Sequence, residues 1–161
     1  MAGPSPPAVV DVVREERYWY PDEGGIVWLA GFHLVDAEGR FLARDAPEVS
    51  ARGLLTAGVA GAARFHADVL AADASAPGRP LELRRDPANP HDANAVEVLA
   101  AGRQLGFVPR EIAARVAPDL DAGRSWSAVV LREQRASPRD PRTGVTMLLG
   151  PDAALELNVR G

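Results

Sequence analysis

The chain has no cysteine among its 161 residues. This excludes a disulfide framework, a thiolate nucleophile, cysteine-ligated zinc and iron–sulfur clusters, and it fits a reducing, cytoplasmic setting. Lysine is also missing: all 18 basic residues are arginine. A G-x-x-x-x-G-K-[ST] phosphate loop is therefore impossible, and no ATPase of that kind is encoded. Together with abundant alanine, the missing lysine reads as the coding bias of a GC-rich bacterial genome. No apolar run approaches the 18 residues of a membrane helix. Residues 1–7 carry neither the basic nor the apolar region of a secretory signal. A surplus of positive charge is lacking too, the net charge being −4.

What is present is an ordinary globular balance, 47% hydrophobic and 25% charged. The length suits one domain that buries about two thirds of its unfolded surface, so neither metal nor disulfide is needed for folding. Residues 1–57 hold 5 arginines against 9 acids, residues 58–135 hold 10 against 10, and residues 136–161 hold 3 against 3. None of these segments has the basic footprint of a protein that coats nucleic acid by bulk attraction. A nucleic-acid ligand would have to be held at a small local site.

Along the chain, 1–8 reads as a disordered lead-in rich in proline and 9–57 as an N-terminal β extension. Within it, Val9–Tyr20 and Ile26–Leu34 are strands, the second preceded by Pro21 and Gly24-Gly25. A turn at 35–40 leads to a return at 41–43, and Arg44–Thr56 reads as loop. The main domain spans 58–150, with its core over 59–135. Expected strands are Phe65–Leu70, Pro80–Arg84, Ala95–Leu99, Gln104–Val108 and Ser127–Leu131, with a last strand at Val145–Leu149. A tail follows over 151–161. Pro109 starts a helix that Gly123 stops, and Pro118 predicts a kink or break within it. The fold class is mainly β with one or two short helices, a small β-barrel in preference to a sandwich. Tyr18, Trp19, Tyr20 and Trp28 read first as a core anchor for the added strands, and second as a partner-binding surface.

The most specific run is Asp86-Pro87-Ala88-Asn89-Pro90-His91-Asp92-Ala93-Asn94-Ala95-Val96, followed downstream by Gly106-Phe107-Val108-Pro109-Arg110-Glu111. The pair resembles the HIRAN domain, whose core reads D-P-x-N-P-x-D-x-N-A-[IV] followed by G-[aromatic or H]-[IVL]-x-[KR]-E into a helix. The likeness covers about Val59 to Arg135. It implies an OB-like β-barrel, a module found alone or attached to translocases and nucleases, and in fork-remodelling translocases a grip on the 3′ end of single-stranded DNA. By position, Arg64 resembles the phosphate-binding basic residue and Phe65 the aromatic that stacks on a base, while His66 stands where a second aromatic is usual. Asn89 and Asp92 match the loop residues at the terminal nucleotide, with Asp92 accepting from the 3′-hydroxyl. His91 replaces a frequent tyrosine, Phe107 replaces a backbone-contacting histidine, and Arg110 matches the basic residue at the helix start.

The residue types suit that task without the resemblance. A strand end needs an acceptor for its hydroxyl, a π face for its base, and a cation or helix N-terminus for its phosphate. Plainer readings stand beside it. Asp86 and Asn94 serve equally well as turn scaffold, Arg64 and Arg110 as solvated surface, and Phe65 and Phe107 as core. Asp86, Asn89, Asp92 and Asn94 offer hard oxygens, but Ala88 breaks the EF-hand spacing, and no metal or other cofactor is expected. His33, His66 and His91 are too scattered for zinc. Ser125 and Ser127 lack the G-x-S-x-G context. The expected function is a non-enzymatic module for single-stranded or damaged DNA at a free 3′ end, in repair or fork processing, alongside a helicase or nuclease. The alternatives are a protein-interaction adaptor that keeps the fold and, more weakly, a divalent-metal-dependent nuclease.

Overall fold

The computed structural model describes residues 6–20 and 25–161. Most of the expected lead-in, together with Pro21 and Gly24, lies outside the described residues. The strands are β1 (Ala8–Trp19), β2 (Val27–Leu34), β3 (Leu55–Gly58), β4 (Pro80–Arg85), β5 (Val96–Ala100), β6 (Arg103–Phe107), β7 (Trp126–Arg135), β8 (Arg142–Pro151) and β9 (Leu155–Val159). The helices are α1 (Pro47–Ser50), α2 (Ala62–Phe65), α3 (Ala67–Ala71) and α4 (Arg110–Asp121). No helix among the described residues is long and apolar enough to cross a membrane.

The expectation of a mainly β fold holds, but the barrel is not closed by a continuous ladder. One nine-stranded sheet runs β6-β5-β4-β7-β2-β1-β9, with β8 on the other edge of β7 and β3 beyond it. All pairings are antiparallel except that of β1 with β9. Among the described residues, the free ends of the β3-β8-β7-β4-β5-β6 series meet only at one bridge. There Ala60 and Phe107 exchange two backbone bonds of 2.8 and 2.9 Å. Gly106 permits this approach, because a Cβ on it would fall 2.3 Å from the Ala60 carbonyl oxygen. Gly31 does the same where β2 leaves β7: its φ is +145°, and a Cβ would fall 2.3 Å from the Leu131 oxygen.

Strands β7 and β8 are buried on both faces, which accounts for their unbroken apolar runs. Ala128, Val130, Met147 and Leu149 point into one core with Leu83, Val98, Leu105 and Val116. Val129, Leu131 and Leu148 point into a second core with Val10, Val12, Phe32, Leu34 and Val49. The N-terminal extension is thus fastened to the main domain through the outer face of two shared strands.

Several local expectations are corrected. Phe65–Leu70 is not a strand but the junction of α2 and α3, which bury Ala62, Val69 and Leu70 against the first core. Arg44–Thr56 is not all loop: Pro47 opens α1 and β3 begins at Leu55. The return at 41–43 is a single bridge from Val35 to Phe41. Helix α4 runs unbroken through Pro118, which sits in its last turn. Val145–Leu149 is not the last strand, since β9 follows in the supposed tail and pairs in parallel with β1. Tyr18, Trp19 and Tyr20 anchor neither core and lie exposed.

Candidate nucleic-acid interface

The 86–95 loop is held by its own side chains. Asn89 Nδ2 donates to Asp86 Oδ2 at 3.1 Å, and Asn89 Oδ1 accepts from the backbone of His91 at 2.9 Å and of Asp92 at 3.2 Å. Asp92 Oδ1 accepts from the Asn94 backbone at 2.9 Å. The two ends of the loop meet where Asp86 N–H donates to the Ala95 carbonyl at 3.0 Å. These are the local bonds that make Asx residues turn formers. They occupy the Asn89 carbonyl oxygen fully, making Asn89 a shaper of the loop, whereas Asp92 keeps Oδ2 outside this network.

Arg110, the first residue of α4, reaches back to the loop. Its Nε lies 3.7 Å from Asp92 Oδ2, and its Nη2 donates to the His91 carbonyl, yet its side chain remains largely open to solvent. His91 is exposed. A backbone bond from Val108 N–H to the Val96 carbonyl at 2.9 Å sets the start of α4 beside the loop.

The aromatic side of the rim comes from the bridge. Half-buried Phe107 is paired with Ala60, and Gly61 follows and opens α2, which ends at Phe65. Phe65 is 67% exposed and rests on Gly61. The Arg64 guanidinium sits over the Phe65 ring at 5.1 Å from its centroid, and Arg64 has no acidic partner among the described residues. His66 is half-buried at the α2–α3 junction. The Ala60–Phe107 bridge thus has α2, with Arg64 and Phe65, leading from its Ala60 side, and Arg110, held against His91 and Asp92, leading from its Phe107 side. An open π face with its arginine and an arginine-paired carboxylate form the two sides of this rim.

One residue escaped the sequence reading. Arg85 Nη1 and Nη2 donate to the Ala95 and Ala93 carbonyls at 2.7 and 2.9 Å, and its Nε donates to Asp121 at 2.9 Å. It ties the loop to the far end of α4. The signal was in β4, where alternation puts Arg85 on the same face as buried Leu81 and Leu83, and an inward arginine needs partners. On α3, the Val69 backbone donor and then the Arg103 guanidinium (2.6 Å) hold the Asp68 carboxyl below its ordinary range.

The sequence profile of the HIRAN domain matches residues 54–148, more than half of the chain. The chain belongs to the HIRAN domain family. HIRAN domains are DNA-binding modules. A crystal structure of the HIRAN domain of human HLTF is similar, at 24% identity over 60% of this chain and 75% of that chain, with a TM-score of 0.43. No curated protein matches. Strands β1, β2 and β9 lie outside the matched residues and extend the sheet beyond them.

Proposed function

We infer that this HIRAN chain binds single-stranded DNA at a free 3′ end, catalyses no reaction itself, and serves repair or fork processing beside a helicase or nuclease. The supporting observation is Phe65, a large ring left open with an arginine over it, on the far side of the Ala60–Phe107 bridge from the α4 start that sets Arg110 against Asp92. Leaving such a ring in water is unfavourable unless a partner covers it, and a base offers a flat face worth about 1–3 kcal/mol when stacked. Asp92 Oδ2 is the acceptor for the terminal hydroxyl, with Arg110 shifting from Asp92 to the neighbouring phosphate. Arg64 holds the next phosphate.

Only Arg64 and Arg110 serve phosphates at the rim, so a two-nucleotide strand, which occupies the rim alone, binds with weak salt dependence, a log–log slope of about 2 or less. Fluorescence anisotropy on a single strand and on a blunt duplex, with wild type and Phe65→Ala, tests the reading. Preference for the single strand, about tenfold weakened in Phe65→Ala, is expected. Equal binding to duplex, a steep salt slope on the two-nucleotide strand, or indifference to Phe65→Ala would overturn it, and absence of binding to either DNA would leave the protein-interaction reading.

A further inference from the structure

The N-terminal addition builds a second concave site with its own chemistry. A groove of about 510 Å³ lies between β1, β2, the 41–44 segment and the outer faces of β3, β7 and β8. That volume is within the range of about 300–1,000 Å³ usual for ligand sites. Arg17, Arg44 and Arg132 line it with Trp19, Phe41 and His33, and among the described residues no acid lines it. Beside the groove, Glu15 is nearly covered. It takes Arg17 at 2.5 Å, His33 at 3.0 Å and Arg132 at 3.9 Å. Among the described residues that line it, three arginines and no acid make the groove wall positive, in a chain whose net charge is −4.

The rings are placed for use. Phe41 is exposed yet stacked on His33, with centroids 4.2 Å apart and planes inclined by 24°. Trp19 is exposed at the end of β1. Thr56, Gln134 and Thr146 add groups that can hydrogen-bond to base edges. Cations interleaved with open aromatic faces suit a single strand of nucleic acid, whose phosphates and bases use both at once. An acidic peptide would use the charges and leave the rings uncovered.

The groove is also joined to the rim. Thr56 lies in β3, and four residues on is Ala60, which holds Phe107 and precedes α2. At the rise of a strand this is about 13 Å. We propose that the groove is a second single-stranded DNA surface, taking nucleotides upstream of the end held at the rim. Its place along the strand rests on the 3′-end reading above.

The test compares two-nucleotide and ten-nucleotide strands, each with a 3′-hydroxyl, in wild type and in the exposed-site variants Trp19→Ala and Arg44→Glu. Wild type binds the longer strand about tenfold more tightly, and each variant brings that ratio close to one. In wild type the longer strand also quenches Trp19 fluorescence, which Trp19→Phe identifies by difference. If the ratio is unchanged in both variants while the short strand binds, the groove proposal fails and the rim reading survives. If the ratio collapses but a 3′-phosphate and Asp92→Asn make no difference, the groove stands and the rim reading fails. Displacement by polyglutamate without Trp19 quenching would overturn the proposal in favour of an acidic protein partner.

Discussion

At Gly106 the chain has no room for a methyl group, because Ala60 O and a Val59 methyl carbon stand 2.3 and 2.7 Å from where a Cβ would be. The clash is with backbone at the bridge that joins the two ends of the sheet, so it cannot be relieved by turning a side chain. Gly106→Ala is expected to cost about 2 kcal/mol or more in urea unfolding. A loss under about 0.5 kcal/mol would show that the bridge yields freely. The loop residues separate in the same way. Asn89→Ala removes bonds to Asp86, His91 and Asp92 and is expected to cost about 1–3 kcal/mol. Asp92→Asn keeps the Oδ1 acceptor for Asn94 and should leave stability nearly unchanged. Thermal unfolding of the two variants distinguishes a shaping residue from a contacting one.

At the scale of elements, β7, β8 and α3 are joined by a covered ion cluster. Glu133 is 6% exposed; it accepts from Arg135 at 2.6 Å and from Arg142 at 2.8 Å. Arg142 also donates to the Leu70 and Ala72 carbonyls at the end of α3, at 3.1 and 2.9 Å. Burial raises the Glu133 pKa, but the hydrogen bonds from Arg135 and Arg142 outweigh it, and the carboxyl ends below its ordinary range. A carboxyl depressed on folding stabilises the native state above its unfolded pKa, and that contribution is lost as pH falls through the folded value. Glu15 is depressed in the same direction: burial is its largest single influence and opposes the shift, and the bonds from His33 and Arg17 prevail. Stability should therefore be flat above about pH 5 and fall below about pH 4. In Glu133→Gln the fall should be shallower and the neutral-pH stability about 3 kcal/mol lower, because Arg142 is left covered beside a neutral group. Denaturant titrations across that pH range check both statements.

Elements that announce themselves locally were readable from sequence. β4, β5 and β6 alternate or run apolar between strong turns, and Pro109 and Gly123 bracket α4 as start and stop. The D-P-x-N-P loop was readable because its bonds are made within ten residues. Helices α2 and α3 were not, being four and five residues long and owed to the burial of Ala62, Val69 and Leu70 rather than to any helical period. Strand β9 was missed because its partner, β1, lies about 147 residues away, as the Asn158–Asp11 bond shows. The groove was half visible. Trp19 stands in a local run of aromatics, but Phe41, Arg44 and Arg132 come together only through tertiary packing.

At the scale of the molecule, the two cores share β7 and β8, whose side chains feed them alternately. A HIRAN core without β1, β2 and β9 would leave Val129, Leu131 and Leu148 uncovered. The addition is therefore expected to unfold with the rest as one cooperative unit. Leu131→Ala in the second core is expected to cost about 2–5 kcal/mol. It should lower the midpoint reported by Trp126, which lies in the first core, as much as the midpoint reported by far-ultraviolet circular dichroism. Two separate transitions would show that the cores unfold independently. The central claim is that the rim reads a strand end, and the most direct measurement compares a single strand ending in a 3′-hydroxyl with the same strand ending in a 3′-phosphate, at low and moderate salt. Binding of the hydroxyl end and rejection of the phosphate by the Asp92 carboxylate are expected, with the preference abolished in Asp92→Asn. Equal binding of the two ends by wild type would contradict that claim.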